Sequence, residues 1–217
     1  MRNRFDEQLE LLNRELTEMG ALIEEAINRA TDALVEKDLS KAQGAAEFDQ
    51  KVNQKERDVE SLCLKLLLQQ QPVARDLRLI SAALKMVTDM ERIGDQAADI
   101  CEIVLSMDGE PYVKKLEHLP KMANEAIKMV TGSIDAFVNR DLELARKVML
   151  MDDTIDDLFD IIKVELIDVI QKDAKKGGQA MDLLMIAKYF ERIGDHAQNI
   201  AEWVEFSITG IHKGEEL

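Results

Sequence analysis

The chain of 217 residues is 46% hydrophobic and only 4% aromatic, with three prolines, the composition of long packed helices with enough apolar surface for a sizeable core. A formal net charge of -15 argues against a nucleic-acid partner, because phosphate backbones require clustered Lys and Arg. No apolar run approaches the roughly 20 residues of a membrane span, and Met1-Arg2-Asn3-Arg4-Phe5-Asp6 leads into an acidic amphipathic pattern instead of an apolar signal segment; a cytoplasmic protein without direct membrane insertion is expected.

Phe5, Leu9, Leu12, Leu16, Met19, Ile23, Ala26 and Ala30 step by four and three residues and predict a long first helix buried along one side. It ends near Lys37-Asp38-Leu39-Ser40, where Asp38 or Ser40 can cap the next helix. The second helix runs to Gln69-Gln70-Gln71, and Pro72 marks a turn because it lacks an amide hydrogen and disfavours helix in the residue before it. A third begins near Ala74 and carries Leu77, Ile80, Leu84, Val87, Ile93, Ala97, Ile100 and Val104 on one stripe until Asp108-Gly109-Glu110-Pro111 breaks it. Cys63 and Cys101, each among apolar residues and far apart along the Pro72 hairpin, are expected to be buried unpaired thiols.

The second half repeats the first. Val35-Glu36-Lys37-Asp38-Leu39 is echoed by Val138-Asn139-Arg140-Asp141-Leu142, and Glu91-Arg92-Ile93-Gly94-Asp95 recurs unchanged as Glu191-Arg192-Ile193-Gly194-Asp195. The expected architecture is all-α: six long helices in two tandem three-helix bundles, residues 1–110 and 111–217, related by a pseudo-two-fold axis. The second hairpin is placed at Lys175-Lys176-Gly177-Gly178.

Acids spaced by four are the candidate chemical groups. Glu91, Asp95 and Asp99 share one face of the third helix, as do Glu191, Asp195 and Asn199 on the sixth. Folding about Pro72 sets Asn53 level with Glu91 and Asp49 level with Asp95. Folding about the second loop sets Asp152, Asp156 and Asp160 level with Asn199, Asp195 and Glu191. Helices pack 8 to 10 Å apart, so facing carboxylates can share a cation; whether they face each other depends on helix rotation. The alternative is a pair of solvated faces. Gly94 and Gly194 favour a close approach beside the acids, since glycine costs a helix about 1 kcal/mol relative to alanine. Oxygen-rich ligands favour hard cations, without separating iron, manganese, magnesium or zinc. His196 points about 100° away from Asp195 around the helix and reads as a surface or interface residue, while His118 lies in the linker and His212 in the tail.

The repeated Glu-Arg-Ile-Gly-Asp, the following His196-Ala197-Gln198-Asn199-Ile200-Ala201-Glu202-Trp203-Val204 and the turn Gln71-Pro72-Val73-Ala74-Arg75-Asp76-Leu77-Arg78 resemble the PhoU family over essentially the whole chain. The resemblance implies a negative regulator of phosphate uptake and of the phosphate-starvation two-component signal. Its implied partners are a phosphate ABC transporter's ATPase and a sensor histidine kinase, with attachment to the inner membrane only through them; a homodimer is expected. The family's acid-x-x-x-Asp motif, associated in some members with metal clusters, carries over to Glu91/Asp95, Glu191/Asp195 and Asp152/Asp156, whereas Asp49/Asn53 and Asn199 depart from it. A carboxylate-bridged di-iron enzyme would require Glu-x-x-His pairs, and Gly94 and Gly194 stand where those histidines belong. A phosphate-cradling loop and a Gly-x-Ser-x-Gly nucleophile are also missing. A plain helical scaffold is the third reading.

Overall fold

The computed structural model describes residues 2–70, 72–107 and 111–211, with side chains from Phe5 onward except at 69 and 70. Gln71, the breaker 108–110, the division placed between 110 and 111, and His212 lie outside the described residues. Six long helices account for nearly all of the described chain, and no strand occurs among the described residues. They are α1 (Arg2–Glu36), α3 (Ala45–Gln70), α4 (Ala74–Ser106), α5 (Leu119–Asn139), α6 (Leu142–Lys172) and α7 (Gly177–Thr209), with a five-residue α2 (Leu39–Gln43) between α1 and α3. At 35 residues α1 is about 52 Å long and triple the mean helix of globular proteins. Among the described residues no helix is long and apolar enough to cross a membrane.

The predicted stripe of α1 is the buried one. Leu12, Leu16, Met19, Ile23, Ile27, Ala30 and Leu34 are fully buried and pack against α3, α4 and α5. Asp38 does cap the following helix, accepting from the Ser40 amide at 3.0 Å, and Asp141 caps α6 by accepting from the Leu144 amide at 3.0 Å. The single second helix expected in the first repeat is instead two pieces, because Gly44 closes α2 as its C-cap before α3 begins. Its counterpart in the second repeat is Lys147, 103 positions on, and α6 runs through that point unbroken.

The triplets α1/α3/α4 and α5/α6/α7 join along two seams, α1 against α5 and, most extensively, α4 against α7. The second seam is antiparallel. Asp89 meets His196 and Asn199, and Asp99 meets Tyr189, so residues 100 apart exchange places across it. Residues 111–113 of the linker are tied to both triplets: Tyr112 donates to the Leu34 carbonyl of α1 at 2.5 Å, and Gln179 of α7 bridges the Val113 amide (2.6 Å) and the Pro111 carbonyl (3.2 Å). Cys63 and Cys101 are buried free thiols, and burial pushes them up to about 12 and about 11.

Candidate metal-binding acid clusters

Both clusters lie where a second helix meets a third one over a glycine. A methyl placed on Gly94 would sit 2.9 Å from Val52 Cγ1, and one on Gly194 would sit 2.8 Å from Ile155 Cδ1 and 3.3 Å from Asp152 Oδ1. Glycine is therefore what allows α3 to close on α4 and α6 on α7, bringing the acids of both helices to one level.

In the first cluster Asp49 lies beside Asp95, as the Pro72 register predicts, and its Oδ2 accepts from Asn53 Nδ2 at 3.0 Å. Burial first, and then the Asp95 charge, raise the Asp49 carboxyl above its ordinary range. Glu91 is likewise raised by burial and by Asp95. Arg92 offsets part of this charge, reaching Asp95 at 3.1 Å and Glu91 at 3.4 Å. Asp99 sits at the rim, raised by burial while Tyr189 of α7 donates to it. Glu56, which the sequence reading passed over, joins the cluster: burial and the Glu91 charge raise it. It lies three residues past Asn53 on the same face, a signal that was available.

The second cluster corrects the expected register by one helical turn. Asp152 faces Asp195 and Asp156 faces Glu191. The hairpin folds about Asp173 and a short 3-10 turn, Ala174–Lys176, and α7 starts at Gly177, so Gly177 and Gly178, expected in the loop, belong to the helix. Asp160 is carried beyond the cluster; it is 70% exposed and paired with Lys163 at 2.5 Å. Asn199 points at α4, where Asp89 accepts from it at 3.4 Å. His196 is an interface residue, its Nδ1 2.9 Å from Asp89 Oδ1. Asp152 is the most perturbed acid: burial, then Asp195, Asp156, Asp153 and Glu191, push it up to about 6. Lys188 pairs with Glu191, 2.5 Å from Oε1.

These donors fit a hard cation in chemistry and in charge. Asp49 Oδ1, Asn53 Oδ1 and Glu191 Oε2 are buried oxygens with no aligned hydrogen bond, although the Lys188 ammonium lies against the last. Six carboxyls, Asp49, Glu56, Glu91, Asp99, Asp152 and Asp156, are raised by burial and by neighbouring acids, a repulsion that a divalent ion relieves. Among the described residues no three His, Cys, Asp or Glu side chains are gathered tightly enough to hold an ion as they stand. Binding one would require the carboxylates to draw together and Arg92 or Lys188 to swing aside.

The PhoU domain model matches residues 16–104 and again 119–204, one match per helical triplet. The chain belongs to the PhoU family. It is 35% identical over 207 residues to the phosphate-specific transport system accessory protein PhoU homolog of Clostridium acetobutylicum, covering 95% of this chain and 94% of that one. A Pseudomonas aeruginosa protein of the same description is 36% identical over 211 residues, covering 95% and 86%. The crystal structure of PhoU from Pseudomonas aeruginosa superposes with a TM-score of 0.90 at 34% identity, over 95% of this chain and all of that one. The phosphate transport system regulatory protein PhoU from Streptococcus pneumoniae gives 0.87 at 27%, over 97% and all of that chain.

Proposed function

We propose that this protein regulates phosphate transport without catalysing a reaction, as a negative regulator that couples a phosphate ABC transporter's ATPase to a sensor histidine kinase. Family membership over both triplets carries the reading, because relatives matched along nearly their full length are described as accessory proteins of the phosphate-specific transport system. The helices bury most of their apolar stripes internally, Leu77 being an exposed exception, and acids dominate the charge of the chain, which suits reversible association with partners that present basic patches. In this reading the protein is cytoplasmic, reaches the inner membrane only through its partners, forms a homodimer, and divides into units 1–110 and 111–217.

The acid clusters serve as cation sites in the same proposal. Asp152, Asp156, Glu191 and Asp195 would hold the second ion, and Asp49, Asn53, Glu91 and Asp95 the first, with Asp99 and Glu56 at its edge. A bound ion would supply charge neutralisation and a fixed spacing between paired helices. The second site has the fuller charge, since Asp156 stands where the first has Asn53.

Co-purification from membranes tests the adaptor role. The tagged protein should retain the transporter ATPase and the kinase at low ionic strength and release both as salt rises. Retention of neither at low salt would remove the adaptor reading.

A further inference from the structure

Three arginines crowd one end of the molecule, and none of them makes an ion pair among the described residues. Arg75 and Arg78 are the second and fifth residues of α4, and Arg140 closes α5 as a left-handed cap with φ 54°. The antiparallel seam brings the end of α7 to the same place: a Cβ on Gly210 would lie 3.6 Å from Arg78 Cζ and Nε. Arg78 Nε is buried with no acceptor, and none of the three side chains makes a hydrogen bond or ion pair among the described residues.

Arg14 and Arg192 also make no ion pair among the described residues, so what marks these three is that they lie together, in a chain with 43 acids against 28 Lys and Arg. Elsewhere Arg29 pairs with Glu25, Arg92 with Asp95 and Arg146 with Glu205. Burial and the charges of Arg75 and Arg78 hold the Arg140 guanidinium below its ordinary range, with Asp76 opposing them. The fold does not require the cluster. The equivalent positions in the other repeat are Lys175, Gly178 and Lys37, and Lys37 lies over the Tyr112 ring at 4.5 Å.

We infer that Arg75, Arg78 and Arg140, with the amino end of α4, form a binding site for inorganic phosphate. Guanidinium forks match a tetrahedral oxyanion, and the first-turn amides and dipole of a 33-residue helix add to them. Arg75 is exposed and Arg78 and Arg140 are half-buried, so an ion can reach the site from solvent while the protein keeps its fold. Asp76, on the same turn and within electrostatic range of Arg140, supplies discrimination. Phosphate near neutral pH keeps an O–H that a carboxylate can accept, and sulfate does not. The site itself stands independently of the regulatory reading; the choice of phosphate over other oxyanions rests on it.

Calorimetric titration of the full chain with sodium phosphate, at constant ionic strength and with a chelator to exclude phosphate carried by a bound cation, tests the site. Saturable binding is expected. Arg75→Gln and Arg140→Gln should each weaken it about tenfold or more while circular dichroism stays that of the parent. Sulfate should bind more weakly than phosphate, and Asp76→Asn should narrow that gap. The Arg78 Nε–H resonance should shift on phosphate addition. No saturable binding, unchanged affinity in both Arg variants, or equal affinity for sulfate would overturn the assignment. Any of these could coexist with normal repression of uptake in cells, which would leave the regulatory reading standing.

Discussion

Asp152 is held in a costly state when the second cluster contains no cation. Its carboxyl is raised from 3.8 to about 6 by burial and by the surrounding acids, so the folded protein holds that proton more tightly than the unfolded chain. The sign follows: stability associated with this group is fully present below 3.8 and is lost as pH rises through about 6. About two pKa units correspond to roughly 3 kcal/mol, and the water that still reaches the carboxyl reduces this to about 1–2 kcal/mol. Asp152→Asn, a neutral isostere, should therefore stabilise the chelated protein by about 1–2 kcal/mol at pH 7.5. The gain should shrink by about half at pH 5. Urea denaturation of both proteins at the two pH values, with chelator present, measures it. Saturating divalent cation should reverse the order, because the parent then gains a ligand that the variant lacks. A variant no more stable than the parent at pH 7.5 in chelator would refute the electrostatic reasoning.

Gly94→Ala should destabilise the protein by about 1–2 kcal/mol, overpacking against the stiff β-branched Val52 outweighing the helix gain. Gly194→Ala should cost less, about 1 kcal/mol or under, because Ile155 Cδ1 is the free end of its side chain; thermal melts compare them. Asp195→Asn should lower the metal content of protein purified without chelator more than His196→Gln does, since His196 faces Asp89; elemental analysis reads both, and equal negligible metal in all three proteins would return the acids to a solvent-facing role. Cys63 and Cys101 should resist a thiol reagent in the native protein and react together on unfolding, their burial having raised both thiols.

The helices and the duplication were legible because long apolar stripes and a repeated pentapeptide are local signals. Gly94 and Gly194 pointed correctly to close approach, and the Pro72 register placed Asp49 opposite Asp95. The second hairpin was misread because Gly177 and Gly178 look like a loop, whereas Asp173 and the 3-10 turn make it. The repeat itself held the remedy. Asp49 and Asp152 differ by 103 positions and Asp95 and Asp195 by 100, which pairs Asp152 with Asp195 directly. Asn199 was assigned to the acid face because spacing by four keeps it near Asp195, but the α4 seam captures it, and that seam depends on tertiary packing. The arginine cluster was invisible for the same reason, being assembled from α4, the end of α5 and the end of α7.

Regulation of phosphate uptake is tested most directly by deleting the chromosomal copy and measuring expression of the phosphate-uptake system during growth in abundant phosphate. The deletion strain should express that system as though starved, and a plasmid-borne copy should restore repression. Normal repression in the deletion strain would contradict a role as negative regulator, while leaving the fold and the family assignment in place.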